Sequence, residues 1–595
     1  MKELKSLNKF LLRYKWRLIL GVIFIICANW FNLYPAQIFR NAIDVVVETI
    51  NKNKLIAEGK LQSEIVADLA KVILIFTVLL LVVALIKGIF TFFMRYTIIM
   101  VSRFIEFDLK NEIYNHYQKL DTSFYKENKT GDIMNRIGDD VSQVRMYLGP
   151  SIMYLINLIV LFTLVIITMV NINAELSLYI LLPLPILSIT IYYVSRLINI
   201  KSERMQRQLS KLFNLSQETF SGIRVIKAYN KSNSTIKKFN KEAENYRSIA
   251  MNLATTESLF YPVILFLPVL STLITIYVGG LAVIEGTITY GNIGEFVIYI
   301  NLLTWPVASL GWVTSLIQRA VASQKRINEF LLIEPKIKNN SEQAIKIKGA
   351  IEFRNVQFTY PESGIKALRD ISFKIEPGKT LAIVGKTGSG KSTIIQLLNR
   401  LYDITKGEIL IDNSPIQTIN LNELRSQTGC VMQDVFLFSD SVKNNISFGT
   451  YVNNGNSKIE DIKWAAKQAL VHENIKNFKD GYETVIGERG VTLSGGQKQR
   501  VSIARALLKK PQILLFDDCL SAVDTETEEN ILMNLKHIME NKTTIIVSHR
   551  ISSIKNADHI IMIENGKIIE EGNHEKLINN KGKYESLYKK QLVEE

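Results

Sequence analysis

Residues 381–392 read Leu-Ala-Ile-Val-Gly-Lys-Thr-Gly-Ser-Gly-Lys-Ser. The last eight positions, Gly385 to Ser392, match the phosphate-binding pattern G-x-x-x-x-G-K-[ST], in which backbone N–H groups surround the phosphates. The apolar run Leu381–Val384 predicts a strand before the motif, and Thr393–Leu401 predicts a helix after it. Because strand, loop and helix are the context that such a motif requires, this stretch predicts an α/β domain that binds a nucleotide.

The residue types in this loop each have a chemical use. We expect Lys391 to neutralise β- and γ-phosphate oxygens and the Ser392 hydroxyl to ligate Mg²⁺. The predicted nucleotide-binding set from the loop is Gly385, Thr387, Gly388, Ser389, Gly390, Lys391, Ser392 and Thr393.

Two further predicted strands end in polar residues suited to the same site. The strand Ile513–Phe516 leads into Asp517 and Asp518. An acid at the carboxyl end of a buried strand is a common Mg²⁺ ligand beside a phosphate loop, which is the role expected of Asp517. Asp518 is then expected beside the attacking water. The strand Thr544–Val547 leads into His549, which is expected to contact the γ-phosphate or to position the water.

A second anion-binding pattern follows at Leu493-Ser-Gly-Gly-Gln497, ahead of the helical stretch Lys498–Leu508. Small residues at a helix N-terminus favour an anion. Since one nucleotide does not need two such devices from one domain, we expect this one to bind the γ-phosphate of ATP held by another copy. The residues concerned are Ser494, Gly495, Gly496 and Gln497.

The sequence around these motifs divides near residue 340. From residue 350 to 595, short β-like runs alternate with helical stretches and Gly-containing turns, which is the pattern of an α/β domain. Residues 331–349, rich in Lys, Asn and Pro from Glu334 to Lys348, are predicted to be a linker.

Residues 1–330 instead carry long apolar runs with few charges. Each run is about 20 residues or more, the length that an α-helix needs to cross a hydrocarbon core of about 30 Å. The six predicted spans are approximately 18–39, 72–94, 147–170, 176–195, 259–284 and 296–318. The predicted fold class is therefore a multi-domain membrane protein, with an all-α domain of six spans followed by an α/β ATPase domain with a phosphate loop.

The distribution of positive charge predicts the orientation. The chain has 595 residues and a formal net charge of +15. Lys and Arg number six before the first span, eight in 95–145 and twelve in 196–257, whereas 40–71 holds five and the two short turns hold none. The positive-inside rule then places both termini, both long charged segments and the ATPase domain in the cytoplasm. This explanation of the charge argues against a nucleic-acid partner.

The two long charged segments are predicted to be helical. Arg95–Tyr117 and Arg196–Leu215 have helical spacing and no Pro. Breaks near Asp121–Gly131 and Ser221–Gly222 would form the tips of two cytoplasmic helical loops, placed to contact a soluble domain.

Together these residues resemble the ATP-binding cassette (ABC) family, as an exporter subunit whose membrane domain is fused ahead of its nucleotide-binding domain. The family signature is Leu493–Gln497. The resemblance makes Tyr360, in Phe358-Thr-Tyr-Pro, the aromatic residue that stacks on adenine. It makes Gln433 the residue that joins Mg²⁺ to the transmission interface.

The resemblance also assigns loops and coupling segments. Ser521–Asp524 corresponds to the loop that communicates across the dimer, and Thr484–Gly490 to the exporter-specific loop beside the signature. Segments near Asp121–Tyr125 and Leu212–Gly222 correspond to the two coupling helices.

The implied activity is ATP hydrolysis coupled to transport across the cytoplasmic membrane by alternating access. The cofactors would be ATP and Mg²⁺, and the partners a second exporter half, the lipid bilayer and an amphipathic drug, lipid or peptide. Asp518, His549 and Gln433 would be the catalytic residues, and Ser392, Gln433 and Asp517 the metal ligands.

One residue departs from the family pattern. The family places Glu after the Mg²⁺-binding Asp, but this chain has Asp518, whose carboxylate is one methylene shorter. A displacement of roughly 1 Å costs about 10²-fold in rate. We therefore favour the degenerate-site subunit of a heterodimer. The alternative is a homodimeric lipid flippase in which Asp518 serves as a slow catalytic acid.

Other classes fit less well. The six spans argue against a soluble ABC machine, and the fusion of both domains argues against an importer. A protease-bearing peptide exporter would need a domain before the first span. Cavity-facing candidates within the spans are Asn29, Trp30, Asn32, Lys87, Trp305 and Trp312, which leave the substrate open.

Overall fold

The chain folds into two compact units. The computed structural model describes residues 2–55, 62–450, 457–487, 490, 492–519 and 525–594. One unit comprises Met1–Tyr117 and Gly131–Ile333, and the other comprises Gln118–Thr130 and Glu334–Glu595. The segment Gln118–Thr130 therefore belongs to the C-terminal unit, although the N-terminal unit flanks it in sequence.

The described residues among the first 333 form helices joined by short turns. After a 3₁₀ helix at Lys2–Leu7, the helices are α1 (Asn8–Arg13), α2 (Lys15–Leu55), α3 (Gln62–Lys119), α4 (Thr122–Glu127), α5 (Thr130–Ile172), α6 (Ala174–Ser221, with a turn residue at Leu182), α7 (Ile223–Ala228), α8 (Ser232–Ile284) and α9 (Tyr290–Leu331).

Six of these helices, α2, α3, α5, α6, α8 and α9, are long and apolar enough to cross a membrane, counted over the described residues. Each contains one of the six predicted apolar runs, so the prediction of six spanning helices is confirmed. The apolar residues Leu74, Ile75, Leu85 and Phe92 on α3 are more than half exposed. Such a surface suits hydrocarbon rather than water, as expected of a helix that faces lipid.

Asn29, one of the candidate cavity residues, forms a hydrogen bond between helices α2 and α5. Its side chain is 3% exposed, and its Nδ2 donates to Asn157 Oδ1 at 2.9 Å and to Ile25 O at 2.9 Å. A buried amide pair of this kind joins α2 to α5. Trp305 and Trp312 are exposed instead, and the Trp312 ring packs edge-to-face on Tyr154.

The second cytoplasmic segment breaks near Ser221–Gly222, as the sequence predicts. Residues 212–221 continue the long helix α6, and Gly222 is its C-cap, with φ −92° and ψ 13°. The short helix that follows is α7, at Ile223–Ala228. The predicted break near Ser221–Gly222 therefore separates the end of α6 from α7, and the coupling role of Leu212–Gly222 stays a prediction.

The C-terminal unit is built on two sheets. Its strands are β1 (Ile351–Thr359), β2 (Lys366–Ile375), β3 (Thr380–Val384), β4 (Lys406–Ile411), β5 (Ser414–Pro415), β6 (Thr428–Val431), β7 (Ile513–Asp517), β8 (Thr543–Val547), β9 (His559–Glu564) and β10 (Lys567–Gly572). Its helices after α9 are α10 (Lys391–Leu398), α11 (Leu421–Ser426), α12 (Val442–Ser447), α13 (Ile459–Gln468), α14 (His472–Lys476), α15 (Gly495–Leu508), α16 (Thr525–Met539), α17 (His574–Asn579) and α18 (Lys583–Glu594).

The larger sheet has the strand order β10-β9-β3-β8-β7-β6, in which β9, β3, β8, β7 and β6 run parallel and β10 is antiparallel to β9. The smaller, antiparallel sheet has the order β2-β1-β4-β5. All five residues of β7 and of β8 are buried, as parallel strands covered on both faces require. This confirms the predicted α/β domain and brings the carboxyl ends of β3, β7 and β8 to one edge of the sheet.

Candidate nucleotide-binding site

The phosphate-loop motif connects β3 to α10. Gly390, the residue before α10, has φ +105°, and a Cβ there would lie 2.5 Å from the backbone oxygen of Ala367. Only glycine meets both conditions. The loop is also held by the turn between β9 and β10, where Gly566 N donates to Ser389 O at 3.1 Å.

Lys391 curls back over this loop. Its ammonium group donates to Gly385 O at 2.8 Å and to Lys386 O at 2.9 Å, and the residue is 5% exposed. Burial lowers the pKa of Lys391, and the nearby carboxylates of Asp518 and Asp517 act in the opposite direction. The loop therefore presents a buried cation among converging backbone groups, which suits a polyphosphate.

Asp517 lies at the end of β7, directly beside the start of α10. Its Oδ1 accepts a hydrogen bond from Ser392 Oγ at 2.9 Å. Burial raises the pKa of Asp517, and the Ser392 hydrogen bond opposes that shift. Ser392, Asp517 and Gln433 line the same cavity, so hydroxyl, carboxylate and amide oxygens are available together. These are the hard oxygen donors that Mg²⁺ prefers, and they fit the predicted ion.

Asp518 and His549 follow two neighbouring strands. Asp518 has φ +47°, and its N–H donates to Val547 O at 2.9 Å, which ties the end of β7 to the end of β8. Burial lowers the pKa of His549, and the charge of Lys391 acts in the same direction. The neutral imidazole is therefore the favoured form at neutral pH.

The aromatic candidate Tyr360 is fixed by its hydroxyl and by its ring. The hydroxyl lies 3.0 Å from Thr393 Oγ1, and the ring packs edge-to-face on Tyr402 at 5.4 Å between centroids. Lys126, on α4, places its Nζ 4.8 Å from the centroid of the Tyr360 ring and 3.3 Å from Glu362 Oε1. The ring orientation is thus determined before any base stacks on it.

These side chains meet at one cavity of about 560 Å³. The predicted residues that line it are Tyr360, Thr387, Gly388, Gly390, Lys391, Ser392, Thr393, Gln433, Asp517, Asp518 and His549. Gly385 and the buried Ser389 belong to the same loop without lining the cavity wall.

Sequence reasoning missed several lining residues: Ile365, Lys366, Ala367, Arg369, Val547, Asn565 and Gly566. Asn565 and Gly566 have φ values of +50° and +76°, so they form the Asn-Gly turn of the β9–β10 hairpin. That dipeptide was a visible turn signal, but nothing local placed the turn beside the phosphate loop.

Ser494–Gln497 does not join this group, because none of these four residues is among the described residues that line the cavity. Ser494 caps α15 reciprocally with Gln497. Ser494 Oγ accepts from Gln497 N at 3.3 Å, and Gln497 Oε1 accepts from Ser494 N at 3.0 Å. Residues 521–524 lie outside the described residues, as do Glu488 and Arg489 of the loop Thr484–Gly490.

Comparison with known proteins identifies both units. Residues 18–307 match the family model of the ABC transporter transmembrane region, and residues 368–521 match the family model described as ABC transporter. The chain is 35% identical over 583 residues to the multidrug resistance-like ATP-binding protein MdlA of Buchnera aphidicola subsp. Schizaphis graminum, covering 98% of this chain and 97% of that protein. It is 35% identical over 521 residues to the ATP-dependent lipid A-core flippase of Syntrophus aciditrophicus, covering 87% of this chain and 85% of that protein.

A solved structure agrees on the fold. The structure of a bacterial Atm1-family ABC exporter with ATP bound superposes with a TM-score of 0.77 at 24% identity, covering 97% of this chain and 99% of that one. With the two family matches and the long relatives, it follows that this chain is a multi-pass membrane protein of the ABC transporter family, homologous to multidrug-type exporters and lipid A flippases, whose ATPase domain couples ATP hydrolysis to transport.

Proposed function

We propose that the chain is one half of a dimeric exporter that moves an amphipathic substrate across the cytoplasmic membrane by alternating access. The observation that carries this proposal is the separation of two phosphate-binding devices. Lys391, Ser392, Asp517 and His549 surround one cavity, whereas the signature at Ser494–Gln497 stands outside it. A signature that lies outside the cavity formed by the described residues of its own domain is explained if it completes the site of a second domain.

The proposed division of labour follows the geometry of the cavity. Lys391 and the loop backbone hold the phosphates, Tyr360 stacks on adenine, and the neutral imidazole of His549 contacts the γ-phosphate. Asp518 accepts a hydrogen bond from the attacking water. ATP supplies the free energy through its higher affinity for the closed arrangement of two domains.

The proposed Mg²⁺ ligands are Ser392, Asp517 and Gln433. The ion would neutralise phosphate charge there. No group of three or more His, Cys, Asp or Glu side chains suited to a metal occurs in the described part of the chain. We therefore expect Mg²⁺ in this unit to be coordinated by the Ser392 hydroxyl, the Asp517 carboxylate, the Gln433 amide oxygen and the phosphate oxygens of the nucleotide.

We further propose that the partner is a different exporter half with Glu at the position of Asp518. The shorter carboxylate supports a weak site in this chain, and the complete signature supports a competent site in the partner. The homodimeric lipid flippase remains the second candidate, and the similarity to the lipid A-core flippase of Syntrophus aciditrophicus supports it.

Two exposed apolar surfaces support docking between subunits. On the C-terminal unit, Phe436, Phe438 and Phe448 pack on one another with centroids 5.2 and 4.5 Å apart, and all three are at least 40% exposed. On the N-terminal unit, Val225 on α7 is 61% exposed, and the Tyr229 ring beside it is 73% exposed. We propose that α7 of one subunit docks on the aromatic cluster of the other, with both surfaces in the cytoplasm as the charge distribution predicts.

The proposed domain limits follow the sequence: the transmembrane domain at 1–330, the linker at 331–349 and the nucleotide-binding domain at 350–595. The segment Gln118–Thr130, which belongs to the C-terminal unit, falls within the proposed transmembrane domain in sequence.

ATP binding to the purified chain tests the nucleotide site directly. Lys391→Met removes the buried ammonium, and we expect ATP binding to be lost. Lys386→Met is the matched control, since it removes an exposed lysine from the same loop and should leave binding within about twofold. Unchanged affinity in Lys391→Met would overturn the assignment of the site.

A further inference from the structure

The segment that follows β8 carries His549 and is held by two helices that no sequence motif assigned to the site. Residues 548–553 leave the end of β8 beside the nucleotide cavity. Ser548 N donates to Ile383 O of β3 at 3.2 Å, which fixes the start of the segment to the sheet. Further along, Gln591 of α18 and Glu528 of α16 hydrogen-bond to residues 549–553.

Gln591, on α18, bonds the backbone on both sides of Arg550. Its Nε2 donates to His549 O at 2.6 Å, and its Oε1 accepts from Ile551 N at 2.8 Å. An amide side chain can satisfy a carbonyl and an N–H at once because it carries a donor and an acceptor in one plane. The peptide group of His549 is therefore fixed by a residue 42 positions away in sequence.

Glu528, on α16, holds the same segment from another direction. Its carboxylate is buried, with the residue 3% exposed, and its Oε2 accepts from Arg550 Nη1 at 2.6 Å. Its Oε1 accepts a short hydrogen bond from Ser553 Oγ. A buried carboxylate with charged and neutral donors on both oxygens is satisfied and sets a definite geometry.

We propose that Gln591 and Glu528 are positioning residues for His549, fixing the backbone so that the imidazole points to the γ-phosphate of the bound nucleotide. This inference rests on the proposed nucleotide site. Neither residue lines the cavity, so neither touches the nucleotide directly. Their effect reaches it only through the backbone of residues 549–553.

This arrangement has a specific consequence for nucleotide discrimination. ATP and ADP differ in the γ-phosphate, which is the group that His549 would contact. If the His549 peptide is released, the imidazole loses its fixed direction, and affinity for ATP falls while affinity for ADP stays the same. A residue with a purely structural role would lower both affinities together, or neither.

The test compares ATP and ADP affinities of the full-length chain in lipid nanodiscs with Mg²⁺ present. Gln591→Leu removes both hydrogen bonds at nearly constant volume, and we expect the ratio of ATP to ADP affinity to fall by about tenfold. Gln591→Glu keeps the acceptor for Ile551 N but sets a carboxylate against His549 O, and the same fall is expected. Leu592→Ala is the control, because it changes an exposed neighbour on the same helix and should leave the ratio unaltered.

Two further variants complete the test. His549→Ala removes the imidazole itself and gives the largest change in the ratio of ATP to ADP affinity that loss of this contact can produce. If it leaves the ratio unaltered, the γ-phosphate role of His549 in the proposed function is wrong. If His549→Ala lowers the ratio and both Gln591 variants do not, or if those variants weaken ATP and ADP equally, the positioning role is wrong. Glu528→Gln removes the negative charge at nearly constant shape. If a Gln591 variant fails to fold, the ratio of ATP to ADP affinity is measured for Glu528→Gln instead, and the same fall is expected.

Discussion

Asp518→Glu is the substitution that tests the weak-site proposal most directly. Asp518 directly follows β7 and lines the same cavity as His549, and its N–H donates the 2.9 Å hydrogen bond to Val547 O. Since that bond and the buried strand fix the Cα, the added methylene extends the carboxylate towards the cavity by roughly 1.3 Å. A misplacement of about 1 Å costs about 10²-fold in rate, equal to about 2.7 kcal/mol. We therefore expect Asp518→Glu to raise ATP turnover at this site by up to about 100-fold.

The same substitution carries a cost in stability that must be separated from the rate. Asp518 has φ +47°, a left-handed conformation that Asp tolerates better than Glu. The strain is present in the ground state and in the transition state alike, so it lowers stability by about 1 kcal/mol without slowing the reaction. Asp370→Glu is the matched control, because Asp370 is exposed and also has a positive φ, of +68°.

The assay is steady-state ATP hydrolysis by the chain alone in lipid nanodiscs, with thermal unfolding measured in parallel. Wild type and Asp518→Asn should both be slow and differ little, while Asp518→Glu should be fast. Rapid hydrolysis by wild type that disappears in Asp518→Asn would refute the weak-site reasoning and favour the homodimeric flippase. A slow Asp518→Glu variant with an intact melting transition would refute the distance argument.

Three other substitutions test the nucleotide site and the packing of the C-terminal unit. Gly390→Ala should abolish ATP binding in an equilibrium binding assay, because its Cβ would lie 2.5 Å from the backbone oxygen of Ala367. Gly388→Ala is the control: its Cβ has no atom within 4 Å, so only the backbone strain of its positive φ should weaken binding. Arg505→Met should lower the free energy of unfolding by about 2–4 kcal/mol, since it removes three hydrogen bonds, to Asn445 O, Phe436 O and Asn445 Oδ1. The free energy of unfolding of Arg505→Lys should lie between those of the wild type and Arg505→Met in thermal melts. Lys126→Met should raise the KM for ATP by about threefold through loss of the cation over the Tyr360 ring, while Lys126→Arg keeps the wild-type value; equal KM values in all three proteins would contradict this.

Local pattern predicted much of the fold and of the site. Strand β3 is the predicted strand Leu381–Val384 with Thr380 added before it, and β7 is the predicted strand Ile513–Phe516 with Asp517 added after it. Such strands are fully buried, so their apolar runs are continuous and their polar ends stand out. The six spans were visible for the same reason, because hydrocarbon requires long uninterrupted apolar segments.

The parts that were missed depend on contacts between distant residues. Gln591 lies 42 positions from His549 and sits in an ordinary amphipathic helix, so no pattern marks its amide as structural. Asn29 offered only polarity within a span, and its pairing with Asn157 needed the packing of two helices. The sequence predicted the break near Ser221–Gly222, but no pattern marked Ile223–Ala228 as a separate short helix.

Because Gln118–Thr130 belongs to the C-terminal unit, this segment is synthesised well before the rest of the unit into which it folds. Asp121 Oδ2 accepts from Lys336 N at 3.0 Å, a contact between residues 215 positions apart. At a synthesis rate of about 5–20 residues per second, the ribosome needs roughly 10–40 s to deliver that partner after the segment itself has emerged. During this interval the residues that the segment packs against in the C-terminal unit have not been synthesised. A substitution at Asp121 would then reduce the yield of assembled protein more than the turnover of the molecules that mature.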